Sequence, residues 1–207
     1  MEIDLEGMQQ ALDDIVEWMR DHGATSFVAK LRPPVSEAAL DAAEQRIGAP
    51  LGAALRALYR WHDGQAWADQ KEPFFETLFF LDLKEALRQR PELLDGYVRV
   101  PAGSTFADYH AAHDAIGEAA LRSDDWFPFA EASFHFFAVH LGTQRVIRIR
   151  KGDVPWLHVV APDLPTFLGD YASRLWDGEL VLAGDTSLPD VEQEGLAFLG
   201  RHVAPRD

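Results

Sequence analysis

The 207-residue sequence predicts a single α+β domain: a mostly antiparallel sheet of about four to six strands with helices packed on it. Three observations carry this. Leu5, Met8, Leu12, Ile15 and Met19 recur at steps of three and four, the period of an amphipathic helix. Between 126 and 160 the chain turns to aromatic and β-branched runs, with Gly142-Thr143 and Gly152-Asp153 as turns, which reads as a meander. Leu164, Phe167, Leu168, Tyr171 and Leu175 then restore the helical step. Helices, strands and helices in blocks give α+β, not the alternation of a parallel βαβ fold.

The elements follow in order. A helix over 4–22 keeps Asp13, Asp14, Glu17 and Asp21 off its apolar stripe, and Gly23 ends it. Residues 24–35 are a link with Pro33-Pro34. Ser36 caps a helix through Ile47 that Gly48 stops. After Pro50 a second helix reaches His62, with Leu51, Ala54, Leu55, Leu58 and Trp61 on its buried face. Asp63-Gly64 is a left-handed exit, and the polar and aromatic residues 65–76 form a surface loop. A strand over 77–83 precedes a short helix capped by Asp82 and ending at Arg90. Pro91, Gly96, Pro101 and Gly103 make 91–105 an irregular connection, and 106–122 is helical. Strands at 126–130, 134–141, 145–150 and 156–160 follow, then a helix opening at Pro162-Asp163 and a last one capped by Asp190.

Charge is the strongest global property. Nineteen basic against 34 acidic residues leave −15. Direct nucleic-acid binding needs a basic footprint, and Lys and Arg are scattered; the densest group, Arg145, Arg148, Arg150 and Lys151, reads as a solvated sheet face. An acidic surface favours solubility and steers basic partners. No run of 18 apolar residues predicts a membrane helix, and the acidic start is unlike a presequence. With no cysteine, neither disulfides nor thiolate metal sites are expected, which fits the cytosol.

Six stretches in order carry a resemblance: Pro34-Val35-Ser36-Glu37; Ile47-Gly48; Pro50-Leu51; Leu58-Tyr59-Arg60-Trp61-His62-Asp63-Gly64; Trp126-Phe127-Pro128-Phe129-Ala130; and Val160-Ala161-Pro162-Asp163 leading to Phe167-Leu168. Together they resemble the SUKH superfamily, the Smi/Knr type of domain, over residues 33–175. Asp163 stands in the family's Ser place, an exchange a helix cap tolerates. Where the family carries a Gly-rich, Asp-bearing turn, this chain has Glu131-Ala132-Ser133-Phe134-His135. The resemblance divides the chain into an N-terminal helix and link (1–32), the SUKH-like domain (33–177) and a tail with a helix (178–207). It implies a non-catalytic protein-binding domain with no cofactor: a bacterial immunity-type protein that neutralises a toxin, a basic nuclease among the candidates. The alternative is a regulatory module such as those of fungal cell-wall assembly. Abundant Ala, and Arg in excess of Lys, fit a GC-rich prokaryotic genome.

His110 and His113 share a predicted helix face near Asp108, Asp114 and Glu118, the third reading being a metal-dependent enzyme; the pair lacks a third ligand at fixed spacing. His62-Asp63 could suggest a base and its orienter, but adjacent side chains diverge and no nucleophile motif accompanies them. Trp67 is the better candidate: a bulky aromatic in a polar loop, ringed by Asp63, Asp69, Glu72 and Glu76, has the form of an interface anchor with an acidic rim.

Overall fold

Four side chains at helix entrances set the frame. Asp4 Oδ1 accepts from the Gly7 amide at 2.8 Å, Ser36 Oγ from Ala39 at 3.3 Å, Asp82 Oδ1 from Glu85 at 2.7 Å and Asp163 Oδ1 from Thr166 at 2.9 Å. Each satisfies an amide that the first helical turn leaves without an intrahelical partner. They open α1 (Leu5–Asp21), α3 (Glu37–Ile47), α5 (Leu83–Leu93) and α6 (Leu164–Trp176); α2 (Thr25–Ala29) and α4 (Ala53–Trp61) have no side-chain cap. The computed structural model describes residues 3–66, 74–76, 78–98, 124–132, 135–150 and 156–180.

The strands are β1 (Phe79–Phe80), β2 (Trp126–Ala132), β3 (His135–His140), β4 (Val146–Arg150) and β5 (Trp156–Ala161). They form one antiparallel sheet in sequential order, the predicted meander. Phe127 faces Val139, Phe137 faces Arg148 and Ile147 faces Val159. Pro128 has no N–H to give the ladder, and the register shifts between Pro128 and Ala130.

Strand alternation splits the burial between two faces. On one, Phe127, Phe129, Phe137 and Val139 pack with α1, α3, α4 and α6 through Met8, Leu12, Ile15, Leu40, Leu55, Leu58, Phe167 and Leu168. Tyr59 of α4 reaches Phe80 and Phe127, with ring centroids 5.8 and 6.3 Å away. The other face joins Trp126, Phe136, Ile147, Ile149 and Leu157 to Leu93, Leu94 and Val98. The residues before position 33 therefore share the main core with the rest of the chain.

Four expectations change. The helix expected to end at Arg90 passes through Pro91 to Leu93 and continues as a π-helical turn over Leu94–Val98. An interior proline costs about 3 kcal/mol, but burying Leu93, Leu94 and Val98 on the sheet returns roughly 1.5–3 kcal/mol each and outweighs it. The 65–76 segment is not all surface: Gln65, Phe74 and Phe75 are buried. Gln65 Oε1 accepts from the Phe74 and Phe80 amides at 3.0 and 2.8 Å, and the Phe75 ring meets Phe74, Phe80, Phe129, Phe167 and Tyr171 edge-on or tilted, with centroids within 6.0 Å. The strand expected over 77–83 is only Phe79–Phe80, because Asp82 starts a helix at once. In α4 it is Tyr59 that is fully buried, while Trp61, two residues on, is only partly covered. The helices expected over 106–122 and after Asp190, and the Gly152-Asp153 turn, lie outside the described residues, as does the Trp156 side chain.

Candidate functional site

The exit from α4 is a backbone crossing. Gly64 O accepts from Arg32 N at 2.9 Å, Asp63 N donates to Pro33 O at 3.3 Å, Gln65 N to Phe80 O at 3.0 Å and Ala66 N to Lys30 O at 2.8 Å. Gly64 has φ +66, and a Cβ there would stand 2.3 Å from the Asp82 amide nitrogen. Only glycine combines that turn with that approach, which explains the His-Asp-Gly close of the helix.

His62 and Asp63 diverge at this crossing, as expected of neighbours. His62 Nδ1–H donates to the Arg32 carbonyl at 2.6 Å. Asp63 Oδ1 accepts from the Leu83 amide at 2.8 Å, and its other oxygen lies 3.8 Å from Arg32 Nε. Burial pushes the Asp63 carboxyl above its usual value and nearby Asp82 adds to the rise, against the Leu83 amide and Arg32, which lower it. The pair helps join α4 to α5 and the 30–33 segment; it does not form a base with its orienter.

Glu76 is the other end of the same segment. Its carboxylate takes Arg148 Nη1 at 3.1 Å and Arg174 Nη1 at 3.0 Å, so β4 and α6 both close on it. Its amide donates to Tyr171 Oη, which donates in turn to Phe74 O at 2.9 Å. Glu76 sits at φ +51, a left-handed conformation uncommon for a side-chain-bearing residue. Arg148 is thus half-buried, 5.6 Å over the Phe137 ring on the helix side of the sheet, instead of on a solvated face.

Asp63 and Glu76, two of the five residues read as an interface, therefore hold internal bonds at the two ends of the segment. Trp67, Asp69 and Glu72 between them lie outside the described residues, as do His110 and His113. Among the described residues no group of three or more His, Asp or Glu is placed to hold a metal, and no helix is long and apolar enough to cross a membrane. Sequence reasoning missed Gln65 and Phe75, which no periodicity marks because each is fixed by contacts distant along the chain.

A family model, SMI1 / KNR4 family (SUKH-1), matches residues 34–170. The chain belongs to the SMI1 / KNR4 family (SUKH-1). The match runs from the proline before the Ser36 cap to the middle of α6 and takes in the whole sheet. Among curated proteins nothing matches. SUKH membership supports an interaction domain of the immunity or regulatory kind, since proteins of the family generally bind partner proteins.

Proposed function

We propose that this SUKH domain is a non-catalytic immunity protein of the bacterial cytoplasm that binds and neutralises a toxin with a basic surface. The observation that carries the choice within the family is the charge of −15. Such a surface attracts a cationic partner from a distance, and its occupation masks that partner's own substrate site when the substrate is itself an anion such as nucleic acid. The loop with Trp67, Asp69 and Glu72 is the proposed contact. Asp63 and Glu76, which flank it in sequence, are bonded to the body of the domain.

The test is neutralisation. A toxin gene directly adjacent to the gene for this chain is expressed in a heterologous host with and without it. Growth restored by this chain, together with a stoichiometric complex of the two purified proteins, is the expected result. A complex with an endogenous non-toxin protein, and no rescue by any neighbouring gene pair, would move the assignment to the regulatory branch of the family.

A further inference from the structure

Between α1 and the end of α4 lies a groove of about 500 Å³ lined by Asp13, Val16, Glu17, Arg20, Asp21, Val28, Trp61 and His62. We infer that this groove seats an arginine-bearing segment of a protein partner, with Trp61 as the stacking surface and Asp13, Glu17 and Asp21 as the carboxylate wall. This inference rests on the partner-binding reading above and adds a second, chemically defined contact to it.

Charge complementarity argues for that occupant. Asp13, Glu17 and Asp21 follow at i, i+4 and i+8 on one helix face, where like charges repel. On α3 the comparable row of Glu37, Asp41 and Glu44 is neutralised within the fold: Arg56 reaches all three and Arg60 adds a bond to Glu37 at 3.0 Å. In the groove, Asp13 is met only by the neutral amide of Gln9 at 3.1 Å, and Glu17 and Asp21 have no ion pair among the described residues, Arg20 included. The fold thus leaves one row of carboxylates open and closes the other.

The floor then selects the cation. Val16, Val28 and the partly covered Trp61 supply apolar surface beside the acids. A planar guanidinium stacks on an aromatic face while binding carboxylates in its plane; an ammonium is more strongly hydrated and does this less well. The volume of about 500 Å³ is within the range of about 300–1,000 Å³ of small-molecule clefts and exceeds what a single ion needs. The wall and Val28 precede residue 34, where the family match begins.

The probes are hexa-arginine, hexalysine and hexaglutamate peptides, titrated into the ¹⁵N-labelled full chain. Hexa-arginine should shift the amides of 13–21, Val28 and His62 and the Trp61 indole, bind more tightly than hexalysine, and leave hexaglutamate inert. The variant Asp13→Asn/Glu17→Gln/Asp21→Asn should weaken hexa-arginine about tenfold, the sum expected of three exposed pairs. A control of equal charge, Glu6→Gln/Glu92→Gln/Asp170→Asn, should change it less than about twofold. Trp61→Phe should reduce the arginine-over-lysine preference, and Glu17→Gln alone serves if the triple variant loses its native spectrum. Equal weakening by both triple variants, or shifts spread over the whole surface, would overturn the groove and leave net charge as the cause. A groove variant that binds no arginine peptide yet still neutralises the toxin sinks this inference alone; arginine binding without any neutralisation sinks only the immunity reading.

Discussion

A methyl group at position 64 has nowhere to go: it would sit 2.3 Å from the Asp82 amide nitrogen and 2.6 Å from the Leu81 carbonyl oxygen, on a backbone with φ +66. Gly64→Ala should therefore cost roughly 3 kcal/mol or more in chemical denaturation, adding a left-handed penalty of about 1 kcal/mol to the displacement of two backbone segments. Two buried tyrosines make a sharper contrast. Tyr171 Oη links Phe74 O and the Glu76 amide, whereas Tyr59 Oη has no hydrogen-bond partner among the described residues. Tyr171→Phe should lose about 1–3 kcal/mol, and Tyr59→Phe should be neutral or stabilising; equal losses would show that the Tyr59 hydroxyl is satisfied after all. Asp63 gives a pH prediction. Burial raises its folded carboxyl above the ordinary 3.8, so the folded state takes up the proton first as pH falls. Its carboxylate thus costs stability at neutral pH, and that cost disappears as pH drops through the raised value. Asp63→Asn keeps an acceptor for the Leu83 amide and gives up only a long, exposed contact to Arg32. It should be at least as stable as the parent at pH 7, with the advantage shrinking toward pH 4 in urea titrations at stepped pH.

At the scale of elements, the two faces of the sheet carry two clusters of buried side chains joined by shared strands. Trp126 anchors one and Phe167 the other, with Trp126 fully buried and Phe167 8% exposed. Trp126→Ala and Phe167→Ala should each cost roughly 3–5 kcal/mol, while unfolding stays a single transition because β2 and β3 carry side chains of both cores. A second transition in either variant would mean that the two cores melt separately. The same division explains what the sequence disclosed. Ser36, Asp82 and Asp163 were legible as caps because capping is local, and the meander was legible because alternation and short turns are local too. Pro91 misled because its helix is held by Leu93, Leu94 and Val98 packing in one cluster with strands that begin 28 or more residues away. Gln65 misled because a buried amide that bridges Phe74 and Phe80 looks, in sequence, like any polar loop residue. In the proposed site, the acidic pattern was readable, but the inward bonding of Asp63 and Glu76 was not, since Leu83, Arg148 and Arg174 are 20, 72 and 98 positions from their partners.

At the scale of the whole molecule, −15 is a property of encounter more than of the bound state. Long-range attraction raises the association rate, and salt removes it, since the screening length is about 10 Å at 0.1 M and about 30 Å at 0.01 M. An aromatic anchor acts after contact and sets how long the complex lasts. The two contributions should therefore separate in kinetics with the toxin partner. Reversing Asp69 and Glu72 to Lys should slow association, by a larger factor at 0.01 M than at 0.1 M salt, and leave dissociation nearly unchanged. Trp67→Ala should do the opposite, raising the dissociation rate about tenfold or more, as expected for an anchor worth over 1 kcal/mol, with association little altered. Surface-plasmon measurements at the two salt concentrations read both. Association indifferent to salt would remove electrostatic steering from the mechanism, and a Trp67→Ala variant with normal dissociation would move the anchor off this loop. The groove beside Trp61 would then be the next acidic surface to test.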